Sequence, residues 1–422
     1  MLLVDFKKVI PMNTKKQTPY SVFMLGLIVL NALMIIQLPM ARGLSFFSLL
    51  HSDPNDTFMD FFNSIFDAGC ENPYVDRGVI YPPLTYLYYR LCRCFLPSGD
   101  AQFWKSNQSG IILVVAITVL SLFALYKIFL SASKSNRDQD HRMTLWVLLG
   151  TVPFWYAIER GNLILQTLIF LAYFVLNHRS ESALKRELSL ISLAIAASFK
   201  IYPACFGILL ILNKQYKETV RCILYGVLLF FLPFCFFGGL ETVWVMIQNI
   251  LRTNGYMATR GWGFKVNVDN TISFLQEILH VSLPFTGLFK GLILLALLFT
   301  LFFSKKNWQR CMALSAAMIV FPGFSYTYTL IFVALPLLIF FQDAPKNTSW
   351  NFAFSLLFLS MFAPFPFGGP KIIDTLPDYM YQLNATTVVS SLALLGMILL
   401  MPFDILADYK RRHNGLQNRC TE

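Results

Sequence analysis

Residues 20–38, YSVFMLGLIVLNALMIIQL, run without one charged side chain. At roughly 1.5 Å per residue, a helix over this stretch covers close to the ~30 Å hydrocarbon thickness of a bilayer. The run GIILVVAITVLSLFALY at 110–126 repeats the pattern, as do stretches at about 218–237, 283–303, 350–366 and 385–403. Inside a bilayer the backbone must satisfy its own hydrogen bonds, so lipid-facing runs of this kind become helices. The fold class is therefore an all-α polytopic membrane protein. Composition agrees: 56% of the 422 residues are hydrophobic and 14% are charged, where a soluble domain carries about 25% charged residues.

A net charge of +11 would point to nucleic acid in a soluble protein. Here the lysines and arginines lie in short loops between apolar runs, so they report topology, and no nucleic-acid partner is expected. Lys7, Lys8, Lys15 and Lys16 put the N-terminus in the cytoplasm, and the first run reads as a signal anchor. Cys70 could pair with Cys92 or Cys94 in the first loop; no His lies near them to complete a metal site.

Three longer apolar stretches, 143–177, 188–213 and 311–341, are interrupted near their middles by ERGN, SFKIYP and FPGFSYTYT. Basic residues lie on both sides of each, more weakly after the third. This pattern predicts hairpins that enter from the cytoplasm and return, giving about twelve membrane segments with both termini cytoplasmic; single crossings would give about nine. Three regions, about 40–109, 238–282 and 367–384, are then exported. The chain shows no internal repeat and reads as one membrane domain, 1–422.

The first exported region contains PNDTFMDFFNSIFDAGCENPYVDRGVIYPPLTYL, 54–87, rich in carboxylates. At 100° per residue Asp56, Asp60, Asn63 and Asp67 share one helix face, and Phe58, Phe61, Phe62 and Ile65 the other. The spacing predicts a short helix lying on the membrane, apolar side down. Its acidic side would then face something other than lipid headgroups.

The same outer side gathers Glu159, Arg160 and Asn162 at one interruption, and Lys200 and Tyr202 at the next. Arg260, Lys265 and Asn270 follow in the second exported region, and Tyr326 in the last interruption. Ionisable groups at membrane depth are costly and mark function. Lys200 is the sharpest case, although a lysine that snorkels or pairs with Glu159 would look the same. A plainer reading of ERGN is a turn, with Asn162 capping the next helix, and Tyr-Pro-Pro at 81–83 is expected mainly to start a helix.

Deep cations beside exported carboxylates suit transfer of a sugar from a lipid phosphate. The phosphate needs cations as a leaving group, and the incoming hydroxyl needs a carboxylate base. A lipid-borne donor also explains the absence of any nucleotide-binding motif.

The sequence resembles glycosyltransferase family 87, of the GT-C superfamily of multi-pass enzymes using polyprenyl-phosphate sugars. The matching residues are Asp56, Phe61-Phe62, Pro73-Tyr74 and Tyr81-Pro82-Pro83-Leu84. They continue with Gly161-Asn162 and Gln166, the Lys200–Pro203 segment, Asn270 with Ser273, and Pro322 to Tyr326. Pro54-Asn55 stands where the family often has Gly-Gly, and the Asp-Phe dipeptide is Asp60-Phe61, so the base is Asp56 or Asp60, with Asp56 preferred. The resemblance implies a GT-C-like bundle and a plasma-membrane enzyme inverting a hexose, by family tendency mannose, without a metal or other cofactor. Lys200, Arg160 and Arg260 are then expected to hold the donor phosphate. Glu159, Asn162, Tyr202, Lys265, Asn270 and Tyr326 are expected to contact substrate. Partners are the polyprenyl-phosphate sugar, a glycan or glycolipid acceptor and membrane lipid. The rival readings are a lipid-linked-sugar polymerase or ligase and a lipid-linked-sugar flippase or transporter; transporters commonly show repeated halves, which this chain lacks.

Overall fold

The computed structural model describes residues 18–40, 57–131, 137–257, 264–281, 286–323, 325–342, 348–365, 371–372, 382–383 and 385–419. Among these residues five helices are long and apolar enough to cross a membrane: Pro19–Gln37, Gln108–Ser131, Tyr216–Phe236, Thr286–Phe303 and Ala385–Arg411. Each falls on a predicted run. Their outer faces leave residues such as Ile112, Val119, Leu120 and Phe123, or Leu288, Leu292 and Leu295, exposed without protein partners. Contiguous apolar surface of this kind belongs against lipid. The chain is a polytopic helical membrane protein. A two-residue antiparallel pairing, Lys371–Ile372 with Gln382–Leu383, departs from helix.

The three interruptions are real breaks. Val152–Arg160 ends at Gly161, whose φ of 61° is left-handed, and Ile164–Asn177 begins three residues later. Ala183–Phe199 stops at the extended Lys200, and a 3-10 turn, Tyr202–Gly207, follows with Pro203 in its first turn. Asn307–Val320 gives way to the 3-10 segment Thr327–Val333, which leads into Ala334–Gln342. The last of these runs doubles back, since Asn307–Val320 packs on Ala334–Gln342. Ile164–Asn177 packs instead on Ala183–Phe199, and Val152–Arg160 on Thr327–Val333.

The run at 350–366 yields a shorter helix than expected, Ser349–Phe362. Ala363 precedes Pro364 and is extended at φ −78°, ψ 149°. The proline ring disfavours helical backbone in the residue before it, which stops the helix.

The region after the first span, expected above to be exported, folds into short helices: Met59–Ala68, Pro73–Asp76, Pro83–Arg93 and Ala101–Ser106. Met59–Ala68 is amphipathic as expected, but its apolar side is not presented to lipid. Phe61, Phe62 and Ile65 are buried against Pro83–Arg93 and Ala101–Ser106, in a cluster with Tyr89 and Trp104. Burying such side chains stabilises by roughly 1.5–3 kcal/mol each, and protein supplies that burial here. Tyr74 extends this aromatic core to Tyr86 and Phe234, at ring-centroid distances of 5.7 and 5.5 Å. Cys70, Cys92 and Cys94 are free thiols, so the disulfide considered from spacing does not form.

Candidate functional site

Pro83 occupies the first turn of its helix, with Pro82 at the cap, so Tyr-Pro-Pro starts the helix as its chemistry dictates. Thr85 on that helix donates to the Phe199 carbonyl at 2.9 Å and fastens it to the end of Ala183–Phe199. The consequence is a contact that sequence spacing did not disclose. The Lys200 ammonium lies over the Tyr81 ring, 4.6 Å from its centroid, and donates to the phenol oxygen at 3.4 Å. Lys200 is only 5% exposed, and Tyr202 and Asp60 act on it electrostatically. It forms no ion pair among the described residues, so the pairing with Glu159 considered above is not made.

The helix Met59–Ala68 begins from Phe58, a non-glycine residue at φ 61° whose N–H donates to the Glu159 carbonyl at 2.7 Å. Left-handed backbone costs roughly 1–2 kcal/mol outside glycine, and here the docking contact offsets it. Two residues on, Asp60 meets the first interruption. Arg160 donates to Oδ1 from Nε at 3.2 Å and from Nη2 at 2.5 Å, and Asn162 donates to Oδ2 at 2.7 Å. Asn162 also accepts from the Ile164 N–H at 3.0 Å, the capping role expected of it. Gly161 has no spare room: a Cβ there would stand 2.9 Å from the Phe61 Cβ.

Asp60 is thus committed to protein groups on both oxygens. Asp56 and Arg260 lie outside the described residues.

The segment around Lys265 joins the last interruption through an isolated antiparallel bridge between Lys265 and Tyr326. Val266 donates to the Ser325 carbonyl at 2.8 Å, and Thr327 to the Phe264 carbonyl at 2.9 Å. Asn270 is buried and donates to the Lys265 carbonyl at 2.8 Å, holding the strand-like segment to the start of Val268–Leu279. Lys265 is 2% exposed; burial pushes its ammonium down to about 8, against the opposing charge of Asp269.

Aromatic rings line the space between these elements. Tyr156 meets Tyr328 edge-on at 5.4 Å, and Tyr328 stacks on Tyr326 at 5.8 Å. Tyr156 feels Arg160, Glu159, Asp60 and Tyr326; Tyr328 feels Asp60, Tyr81, Tyr202 and Tyr326. Asp60, Glu159, Arg160, Asn162, Lys200, Tyr202 and Tyr326 therefore converge. Tyr81, Tyr156 and Tyr328 join them unannounced by the sequence. Only Tyr81 carried a local signal, the two prolines that follow it.

An aromatic-walled site with a buried ammonium on one side and an anchored carboxylate on another can take a polar, anionic ligand that also presents sugar faces to rings.

The family model of glycosyltransferase family 87 matches residues 80–322, more than half of the chain. No curated protein and no solved structure matches.

Proposed function

This chain belongs to glycosyltransferase family 87 and is a membrane glycosyltransferase; on that premise we propose that it moves a hexose, by family tendency mannose, from a polyprenyl phosphate to an extracytoplasmic hydroxyl. The acceptor is a glycan or glycolipid. The observation that carries the reading is Lys200, a buried ammonium that forms no ion pair among the described residues, with the tyrosines beside it and Asp60 within electrostatic reach. A charge at that depth is expensive until an anion meets it, and a lipid phosphate is an anion that reaches it.

In this proposal the acceptor oxygen bonds to the anomeric carbon as the bond to the phosphate oxygen breaks. The electron pair leaves with the lipid phosphate, against Lys200, and Arg260 adds a second cation from the neighbouring exported segment. A single displacement inverts the carbon. The hydroxyl proton goes to Asp56, because Asp60 already accepts from Arg160 and Asn162 and serves to set the loop. Arg160 then reaches the phosphate only through the field it shares with Asp60. Glu159, Tyr202, Lys265, Asn270 and Tyr326 shape the sugar and acceptor subsites.

The topology proposed for this function is a single GT-C-like bundle over 1–422, in the plasma membrane, with both termini cytoplasmic and the site facing outward.

Mass spectrometry of glycans and lipid-linked intermediates from cells with and without the gene tests it. An acceptor one sugar short should accumulate without the gene. A short acceptor with the sugar-charged lipid trapped on the cytoplasmic side would replace transfer by transport, and unchanged glycans and lipids would contradict both.

A further inference from the structure

We propose a second anion site on the opposite side of the molecule, taking a phosphate group, with the headgroup of an acidic phospholipid as its source. A cavity of about 450 Å³ opens between the loop after Ile164–Asn177 and the loop before Tyr216–Phe231. Arg179, Arg186 and Lys214 supply its cations, and Asn213, Gln215 and Ser180 its neutral donors. The topology above places it at the cytoplasmic surface, at the level of the lipid headgroups.

The carboxylates nearby are already spoken for. Glu218, in the wall of the cavity, meets Arg186 at 3.6 Å and Arg221 at 3.1 Å, and Arg221 also pairs with Glu187. Arg179 and Lys214 form no ion pair among the described residues. Arg310, at the start of Asn307–Val320, has none either; its Nε is buried without a hydrogen-bond partner, and its charge acts on that of Arg179. Arg179 and Arg310 thus repel one another, and an anion held by Arg179 would relieve both.

A preference for positive charge in cytoplasmic loops explains how many cations lie here, but not why they surround a cavity or why the Arg310 Nε is buried without a hydrogen-bond partner. The loops are also braced against each other. Arg179 donates to Asn213, Asn213 contacts the buried His178 at 3.1 Å, and Gln215 donates to the His178 carbonyl at 2.9 Å. Arg186 holds the Ser180 carbonyl at 2.9 Å. A preorganised fork of guanidinium groups recognises phosphate oxygens by paired, charge-assisted hydrogen bonds. The negative potential of the inner leaflet would concentrate such headgroups at this surface.

Lys214 allows a test that separates binding from folding. Its φ of 58° is left-handed, a conformation that glycine adopts freely. Lys214→Gly should therefore leave the unliganded protein at least as stable while removing one cation. The experiment is native mass spectrometry of the full chain from nanodiscs of phosphatidylcholine with and without phosphatidic acid, with inorganic phosphate as a soluble competitor. Phosphatidic acid should be retained by the natural protein and by Lys410→Gln, a control on an exposed lysine. Retention should fall roughly tenfold in Lys214→Gly and further in Arg179→Gln, as expected for lost charge-assisted bonds. Binding of inorganic phosphate with no retention of phosphatidic acid would keep the site and assign it a soluble phosphate ester. Retention in a folded Lys214→Gly/Arg179→Gln variant equal to that of the natural protein would overturn the proposal, as would binding of neither phosphate source.

Discussion

Asp60 and Arg160 stand 100 residues apart in the chain and share a two-point ion pair that locks the helix Met59–Ala68 onto the break after Val152–Arg160. The pair is partly exposed, at 26% for the Asp60 side chain, so solvent screens it. Asp60→Asn should lower stability by about 1–3 kcal/mol, below the ~3–5 kcal/mol for one partner of a fully buried pair. In a double-mutant cycle with Arg160→Gln, thermal unfolding in detergent should show a coupling of at least about 1 kcal/mol. Additive losses would mean that the two side chains do not act as a unit.

Gly161 sits beneath that ion pair with a left-handed backbone and the Phe61 Cβ 2.9 Å from where its own would be. Gly161→Ala meets strain from both sources and should cost about 1–3 kcal/mol. Transfer should fall with it, because the helix bearing Asp60 is displaced. Gly226 is the control: nothing lies within 4 Å of its added Cβ, and it sits inside the helix Tyr216–Phe231. Gly226→Ala should be neutral or stabilising by up to about 1 kcal/mol. A melting point for Gly161→Ala equal to that of Gly226→Ala would contradict the docking described here.

Asp67 gives a pH dependence of defined sign. Burial pushes its carboxyl up to about 6, only partly opposed by Arg77. Between the ordinary carboxylate range and about 6 the folded protein holds more protons than the unfolded chain, so this residue's contribution weakens as pH rises through that window. Asp67→Asn should therefore raise stability at pH 7, by about 1–2 kcal/mol after allowance for partial exposure, and have little effect near pH 4. Equal effects at both pH values would remove Asp67 as the cause.

The topology has its own check. Single cysteines replacing Ser182 or Gln215, in a background without reactive native thiols, should resist a membrane-impermeant reagent in intact cells, and one replacing Gly99 should react. Labelling at 182 or 215 from outside would reverse the side on which both the transfer site and the phosphate cavity are placed.

Much of the fold was legible because contiguous apolar runs admit little but helix in a membrane. The breaks at Gly161, Lys200 and Pro322 were legible for the same reason, as polar or turn-forming residues inside such runs. Periodicity gave the two faces of Met59–Ala68 but not the partner of the apolar one: Phe62 is buried in one cluster with Trp104, and Phe66 meets the Trp104 ring at 6.4 Å, contacts set by tertiary structure. Nor could spacing pair Lys200 with Tyr81 across 119 residues, or Lys265 with Tyr326 through a single bridge. Arg160 was expected at the donor phosphate; its contact with Asp60 became visible only when the two segments met in space.

The central claim is that Lys200 meets a lipid phosphate during sugar transfer, and its neutral variant tests the role from two sides. Lys200→Met keeps the apolar stem, so the protein should still insert and fold, while Lys200→Arg should retain partial activity. Adding Glu159→Gln should not restore transfer to the Met variant, since Lys200 contacts Tyr81 and forms no ion pair with Glu159. Tyr81→Phe should weaken transfer without abolishing it, because the ring face under the ammonium survives.

The most direct measurement is transfer by the purified protein in proteoliposomes, given polyprenyl-phosphate hexose and the one-sugar-short acceptor, with donor, product and released polyprenyl phosphate followed by mass spectrometry. The account predicts that the natural protein converts donor to polyprenyl phosphate in step with product, and that Lys200→Met is slower by roughly a hundredfold or more. An untouched lipid donor beside a consumed nucleotide sugar, or undiminished turnover by Lys200→Met, would contradict it.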